Sequence, residues 1–125
     1  MEGIVKIVYK TKTLHKVCNG SKWAVRAYGA KGGKKLMQRM NELNSFECLA
    51  DVPKFPPARC HQLDGNRKGQ FSVDLEQPYR LIFEPDHNPM PRIEDGGIDL
   101  QAVTKIKILE IVDTHDGKNK KKRGR

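Results

Sequence analysis

The chain has 125 residues, 37% of them hydrophobic and 31% charged, enough for one domain with a buried core and too few for a multidomain enzyme. Its net charge is +9; the last ten residues carry six cations and one anion, so the remainder keeps +4, a balance that favours a polyanion, most often nucleic acid, as partner. No hydrophobic run reaches the length of a membrane span or signal peptide. The three cysteines Cys18, Cys48 and Cys60 lack metal-type spacing and read as reduced thiols, so the chain is expected to be soluble and cytoplasmic.

Taken in chain order, Gly3 to Lys10 is rich in β-branched and aromatic residues with apolar side chains at both parities, which predicts a strand covered by helices. Thr11 or Thr13 caps a short helix that ends at Asn19-Gly20. Ser21 is an N-cap candidate for Lys22 to Tyr28, and Gly29, Gly32 and Gly33 mark a soft break. Lys34 to Leu49 is the clearest helix, with Leu36, Met40, Leu43 and Leu49 at helical spacing and Met37 and Phe46 widening the stripe. Lys34, Lys35 and Arg39 fall outside that stripe and read first as a solvated helix face, second as RNA contacts.

Pro53, Pro56 and Pro57 stop the helix. Arg59 to Leu63 is a short strand candidate, and Asp64-Gly65-Asn66 is a turn. The stretch His61 to Pro85 organises the rest. Within it Phe71, Val73 and Leu75 alternate with polar residues, then Tyr79, Leu81 and Phe83 do so, and Glu76-Gln77-Pro78 joins the two runs. Residues 87 to 103 form a long loop with one helical turn at Leu100-Gln101-Ala102. Thr104 to Val112 is the last strand, and its apolar residues change phase near Ile108-Leu109, as a bulge would require. The order is β-α-α-β-β-β-β: an α+β fold with one antiparallel sheet and helices on one face. Residues 1 to 115 form the domain, and 116 to 125 a basic tail expected to be disordered.

No nucleotide-binding glycine motif, nucleophile elbow or His/Cys metal cluster is present, and no cofactor is expected. Alternation puts Asp113 and His115 on one face of the last strand. With the last strand beside the meander, His61, Arg67, Lys68, Arg80, Asp113 and His115 converge on one surface. That set fits metal-free RNA cleavage, which needs a base for the ribose 2′-OH, cations for the phosphate and an acid for the leaving 5′-oxygen. By spacing alone, plain nucleic-acid binding by a basic face remains the default reading.

The stretch HxLxGxRKGQ, the strand PYRLIFEP and the closing IVDxH together resemble the HigB-type branch of the RelE/ParE toxin superfamily, over the chain from the first strand to His115. The resemblance implies a RelE-like fold, with two to three N-terminal helices packed on a curved antiparallel sheet. It implies a type II toxin that cuts mRNA inside the translating ribosome without a metal. By position, His61, Asp113, His115 and Arg80 are the implied catalytic residues. Arg67 and Lys68, with Arg80, are the implied grips on the phosphate or ribosomal RNA, and Arg59, Lys34, Lys35 and Arg39 are further candidate RNA or ribosome contacts. The implied partners are the ribosome with its mRNA and a HigA-like helix-turn-helix antitoxin, with operator DNA reached only through the antitoxin complex and no membrane. The closing motif commonly reads Asp-Tyr-His; here Thr114 replaces the tyrosine. Two other readings stay open, a ParE-like inhibitor of DNA gyrase and a catalytically inactive antitoxin-binding regulatory module.

Overall fold

The computed structural model describes residues 5–114. His115 and the predicted tail, 116–125, lie outside the described residues, as do the first positions of the predicted first strand. Strand β1 spans Lys6–Tyr9, helix α1 Lys12–Asn19, helix α2 Ser21–Ser45, and strands β2 to β5 span His61–Gln62, Phe71–Asp74, Tyr79–Pro85 and Lys105–Asp113.

Thr11 caps α1, its hydroxyl accepting from the Leu14 N–H at 3.1 Å. The Gly20 N–H closes the helix on the Lys16 carbonyl. Gly20, not Ser21, then stands as N-cap of α2. The break in α2 falls at Gly29, with φ 82 and ψ 172, a conformation that glycine adopts without penalty. The fold at Gly29 brings the second segment back onto the first. A Cβ on Gly33 would sit 2.7 Å from the Val25 backbone nitrogen and 2.8 Å from its Cα. Because backbone cannot move aside as a side-chain tip can, Gly33→Ala is expected to lower stability by about 1–3 kcal/mol. A urea titration that left the midpoint unchanged would show that the two segments do not touch there.

Helix α2 ends at Ser45, short of the predicted Leu49. The Asn44 side chain bonds back to the Met40 carbonyl and the Ser45 hydroxyl to the Glu42 carbonyl, and Phe46 turns extended. Leu49 still reaches the core, from a 3-10 turn over Leu49–Asp51.

The five strands form one mixed sheet in the order β1-β5-β4-β3-β2. Strands β2 to β5 are antiparallel neighbours, but β1 lies parallel to β5, which corrects the expectation of a wholly antiparallel sheet. The reason is connectivity. Short turns force β2, β3 and β4 to alternate, whereas β1 and β5 sit at opposite ends of the described chain and no hairpin constrains their sense.

Leu36, Met40 and Leu43 of α2 pack on Phe71, Val73, Leu81, Phe83, Ile106 and Ile108 in a single core cluster between helices and sheet. The register of β4 on β5 slips between Ile82, opposite Glu110, and Phe83, opposite Ile108, which leaves Leu109 as the extra residue of a bulge. The predicted phase change is this bulge.

Candidate functional site

Cross-strand partners in an antiparallel sheet project to one side, so the register sorts the side chains. Phe71, Val73, Leu81, Phe83 and Ile108 face the helices. Ser72, Asp74, Arg80, Ile82 and Glu110 therefore face away from them, and His61, paired with Ser72, joins that outer face.

Asp74 is the hub of this face. Its carboxylate takes Arg59 Nε at 2.6 Å and Arg59 Nη2 at 3.5 Å, and lies 3.4 Å from Arg80 Nε. Arg59 reaches it from a left-handed backbone conformation, φ 45, rare for a residue with a side chain. The hydrogen bond to Asp74, and then its charge, raise the Arg59 guanidinium further above its already high range, so it stays cationic. Two guanidinium groups on one carboxylate leave a net positive charge at the mouth of a cleft of about 70 Å³, lined by Arg59, Asp74, Arg80, Pro78, Tyr79 and Thr114 among others. Thr114 closes one end of that cleft, its hydroxyl and N–H both donating to the Pro78 carbonyl at 2.9 Å.

His61 is exposed, and its Nδ1 lies 3.2 Å from the Arg59 carbonyl. A carbonyl oxygen only accepts, so a hydrogen bond here puts the proton on Nδ1 and leaves Nε2 as the accepting nitrogen of the neutral ring. His61 stands two strands from Arg80 and one pleat repeat along, about 12 Å by strand spacing. Arg67 lies on the same face, held by Glu110 at 2.6 Å and by Gln70 at 2.8 Å. Ser72, beneath this surface, is fully buried, and its hydroxyl finds no hydrogen-bond partner among the described residues.

The other expected site residues are elsewhere. Asp113 is the register partner of Tyr79, whose ring packs edge-on against Tyr28 of α2 at 4.8 Å, so Asp113 belongs to the helix side and not to the Arg80 face. Arg39, expected on a solvated helix face, is 1% exposed. Its Nε donates to the Asp74 carbonyl at 2.7 Å and its Nη1 to Glu42 at 2.8 Å, so it is a structural tie and no surface contact for RNA. Lys34 and Lys35 line a shallow groove on α2 with Lys31 and Glu76. Lys68 faces a separate groove with Arg92 and Met90. Sequence reasoning missed Asp74 as the bridge and Glu110 as the clamp on Arg67; alternation with Phe71 and Val73 puts Asp74 on the outer face, whereas Glu110 reaches that face only through the bulge at Leu109, and register supplies the partners of both.

Burial pushes the Cys18 thiol up to about 12 and the Cys60 thiol up to about 11, so neither is a nucleophile near neutrality. Cys48 is half-buried, and all three are free thiols. Among the described residues no group of three His, Cys, Asp or Glu side chains is placed to hold a metal ion, and no helix is long and apolar enough to cross a membrane. Comparison with known proteins found no matching family model, no matching curated relative and no matching solved structure.

Proposed function

We propose that this protein is the cytoplasmic toxin of a type II toxin–antitoxin pair, a ribosome-dependent, metal-independent mRNA endonuclease of the kind its sequence resembles. The observation that carries the reading is one sheet face that holds His61 and, beyond it, Arg59 and Arg80 sharing Asp74. In this mechanism His61 Nε2 takes the proton of a ribose 2′-OH, and the 2′-oxygen forms a bond to the adjacent phosphorus. The bond from phosphorus to the 5′-oxygen breaks, leaving a 2′,3′-cyclic phosphate. Arg80, with Arg59 behind it, holds the charge that gathers on the phosphate oxygens. The 5′-oxygen leaves with a proton, a role this mechanism gives to His115, which the resemblance names only as one of the catalytic residues. The ribosome would position the mRNA, which lets a shallow surface suffice. The partner in this reading is a HigA-like antitoxin that shields the basic face, with operator DNA bound by the pair.

One observation favours a second reading. Asp113 belongs to the helix side of the sheet, so the implied catalytic set does not assemble as a whole around Arg80. A non-cleaving module, whether a gyrase inhibitor or an antitoxin-binding regulator, needs no such assembly.

Purified protein in a reconstituted translation system, with cuts mapped by primer extension, separates the readings. Cuts that need ribosomes and fall by about 10²- to 10⁴-fold in His61→Ala are expected. No cleavage by the folded wild type would end the nuclease reading, and gyrase inhibition in a supercoiling assay would then decide between the alternatives.

A further inference from the structure

The helical layer carries a charge pattern that the sheet face does not explain. Between Glu2 and Glu42 the chain has ten Lys or Arg and no Asp or Glu. At the corner where α1 meets α2, three of these cations surround one indole. Lys16 Nζ lies 4.5 Å from the centre of the Trp23 ring, Arg26 Cζ 5.2 Å and Lys22 Nζ 5.7 Å. All four residues are exposed, Trp23 to 36%. Among the described residues none of the three cations has an ion pair.

The indole is held in place from beneath. Its Cδ1 rests where a Cβ on Gly20 would come within 3.0 Å, so the glycine lets the ring lie against the α1–α2 corner. The result is an exposed indole with three cations over its ring, none of which has a carboxylate ion-pair partner among the described residues. A polyanion relieves the repulsion among them, and the indole discriminates among polyanions. An acidic peptide would answer the cations and leave the ring face unused. An anionic membrane needs an apolar face to enter, and among the described residues of the two helices only Val25 joins Trp23 as an exposed large hydrophobic residue. Unpaired nucleobases answer both features, because each brings a phosphate for a cation and a flat π-face for the indole.

We infer that the Lys16–Lys22–Trp23–Arg26 cluster is a second nucleic-acid contact, which takes a single-stranded RNA segment by stacking a base on Trp23 while the three cations meet its phosphates. It sits on the helical layer and is independent of the His61–Arg80 face, so it stands whether or not that face cuts RNA.

Trp23 is the chain's single tryptophan, so its emission reports on this cluster alone. Titration of the full chain with a short oligouridylate is expected to quench that emission saturably. With fluorescently labelled oligouridylate read by anisotropy, Trp23→Ala is expected to weaken binding by about 5- to 100-fold, and Trp23→Phe to restore most of it. Replacing Lys16, Lys22 and Arg26 together by Gln should flatten the dependence of log affinity on log salt by about 2. Circular dichroism of each variant guards against misfolding. Absence of quenching, equal quenching by polyglutamate or by duplex RNA, or a blue shift with phosphatidylglycerol vesicles but no response to RNA would each overturn the assignment. His61→Ala should lose cleavage and keep the quenching, so failure of the nuclease reading and failure of this one give different results.

Discussion

Replacing Arg80 by alanine is expected to slow the proposed ribosome-dependent cleavage by about 10²- to 10³-fold, the usual cost of removing one charge-stabilising donor. The fold should barely notice. Arg80 meets Asp74 at 3.4 Å with about a third of its side chain exposed, and ion pairs of that kind contribute only about 0–1 kcal/mol. Asp74 also keeps Arg59 at 2.6 Å when Arg80 is gone. Arg80→Lys should recover part of the lost rate, because an ammonium restores charge without the flat two-pronged geometry that fits a phosphate. Arg59→Ala and Arg80→Ala combined should depart from the sum of the single effects, since both guanidinium groups share one carboxylate. The measurement is the amount of primer-extension stop per ribosome, with urea midpoints for each variant. Wild-type cleavage by a folded Arg80→Ala protein would remove Arg80 from the mechanism and take the site's charge argument with it.

The largest loss of stability is expected from Arg39→Ala, about 2–5 kcal/mol, the usual cost of truncating a long, fully buried side chain. Arg39 is 1% exposed and holds the Asp74 carbonyl at 2.7 Å and Glu42 at 2.8 Å. Truncation strips the part-buried Asp74 carbonyl of this donor and Glu42 of its partner, and it opens a void where the buried side chain lay. Arg39→Met refills the space and leaves only the polar groups unanswered, so it should cost about 1–3 kcal/mol. The bond runs to the backbone of the residue that gathers Arg59 and Arg80, so Arg39 ties α2 to the strand that carries the site. Arg39→Met is therefore expected to slow cleavage even at temperatures where it is fully folded. Chemical denaturation reads the first effect and the translation assay the second. An Arg39→Ala midpoint within error of wild type would mean that the guanidinium is not held inside.

Local order was legible in the chain. Period-two alternation in Phe71–Leu75 and Tyr79–Phe83, Pro78 between them, Thr11 before a helix and the phase change near Leu109 each express a short-range preference, and each appears in the structure as a strand, a turn, a cap and a bulge. Arg39 was read onto a solvated helix face because of its charge, and the structure buries it instead. It lies three residues after Leu36 and four before Leu43, on the same helical stripe, and a partner for it exists only because Asp74 offers a carbonyl across the core.

Asp113 shows where sequence reading stops. Alternation from Ile106 and Ile108 would have put Asp113 on the outer face beside Arg80. The extra residue at Leu109 inverts that parity, so Ile111 and then Asp113 face the helices. A bulge is a relation between two strands, and its effect on every later side chain is fixed only by the partner's register. The same holds for Asp74, whose two arginines arrive from a loop and a neighbouring strand, and for β1, whose parallel pairing with β5 no turn dictates. The chain by itself determined which residues are strand, helix, turn and core, because those depend on neighbours a few positions away. Tertiary structure decided which face each functional side chain occupies and what it touches, because those depend on contacts between residues far apart in the sequence.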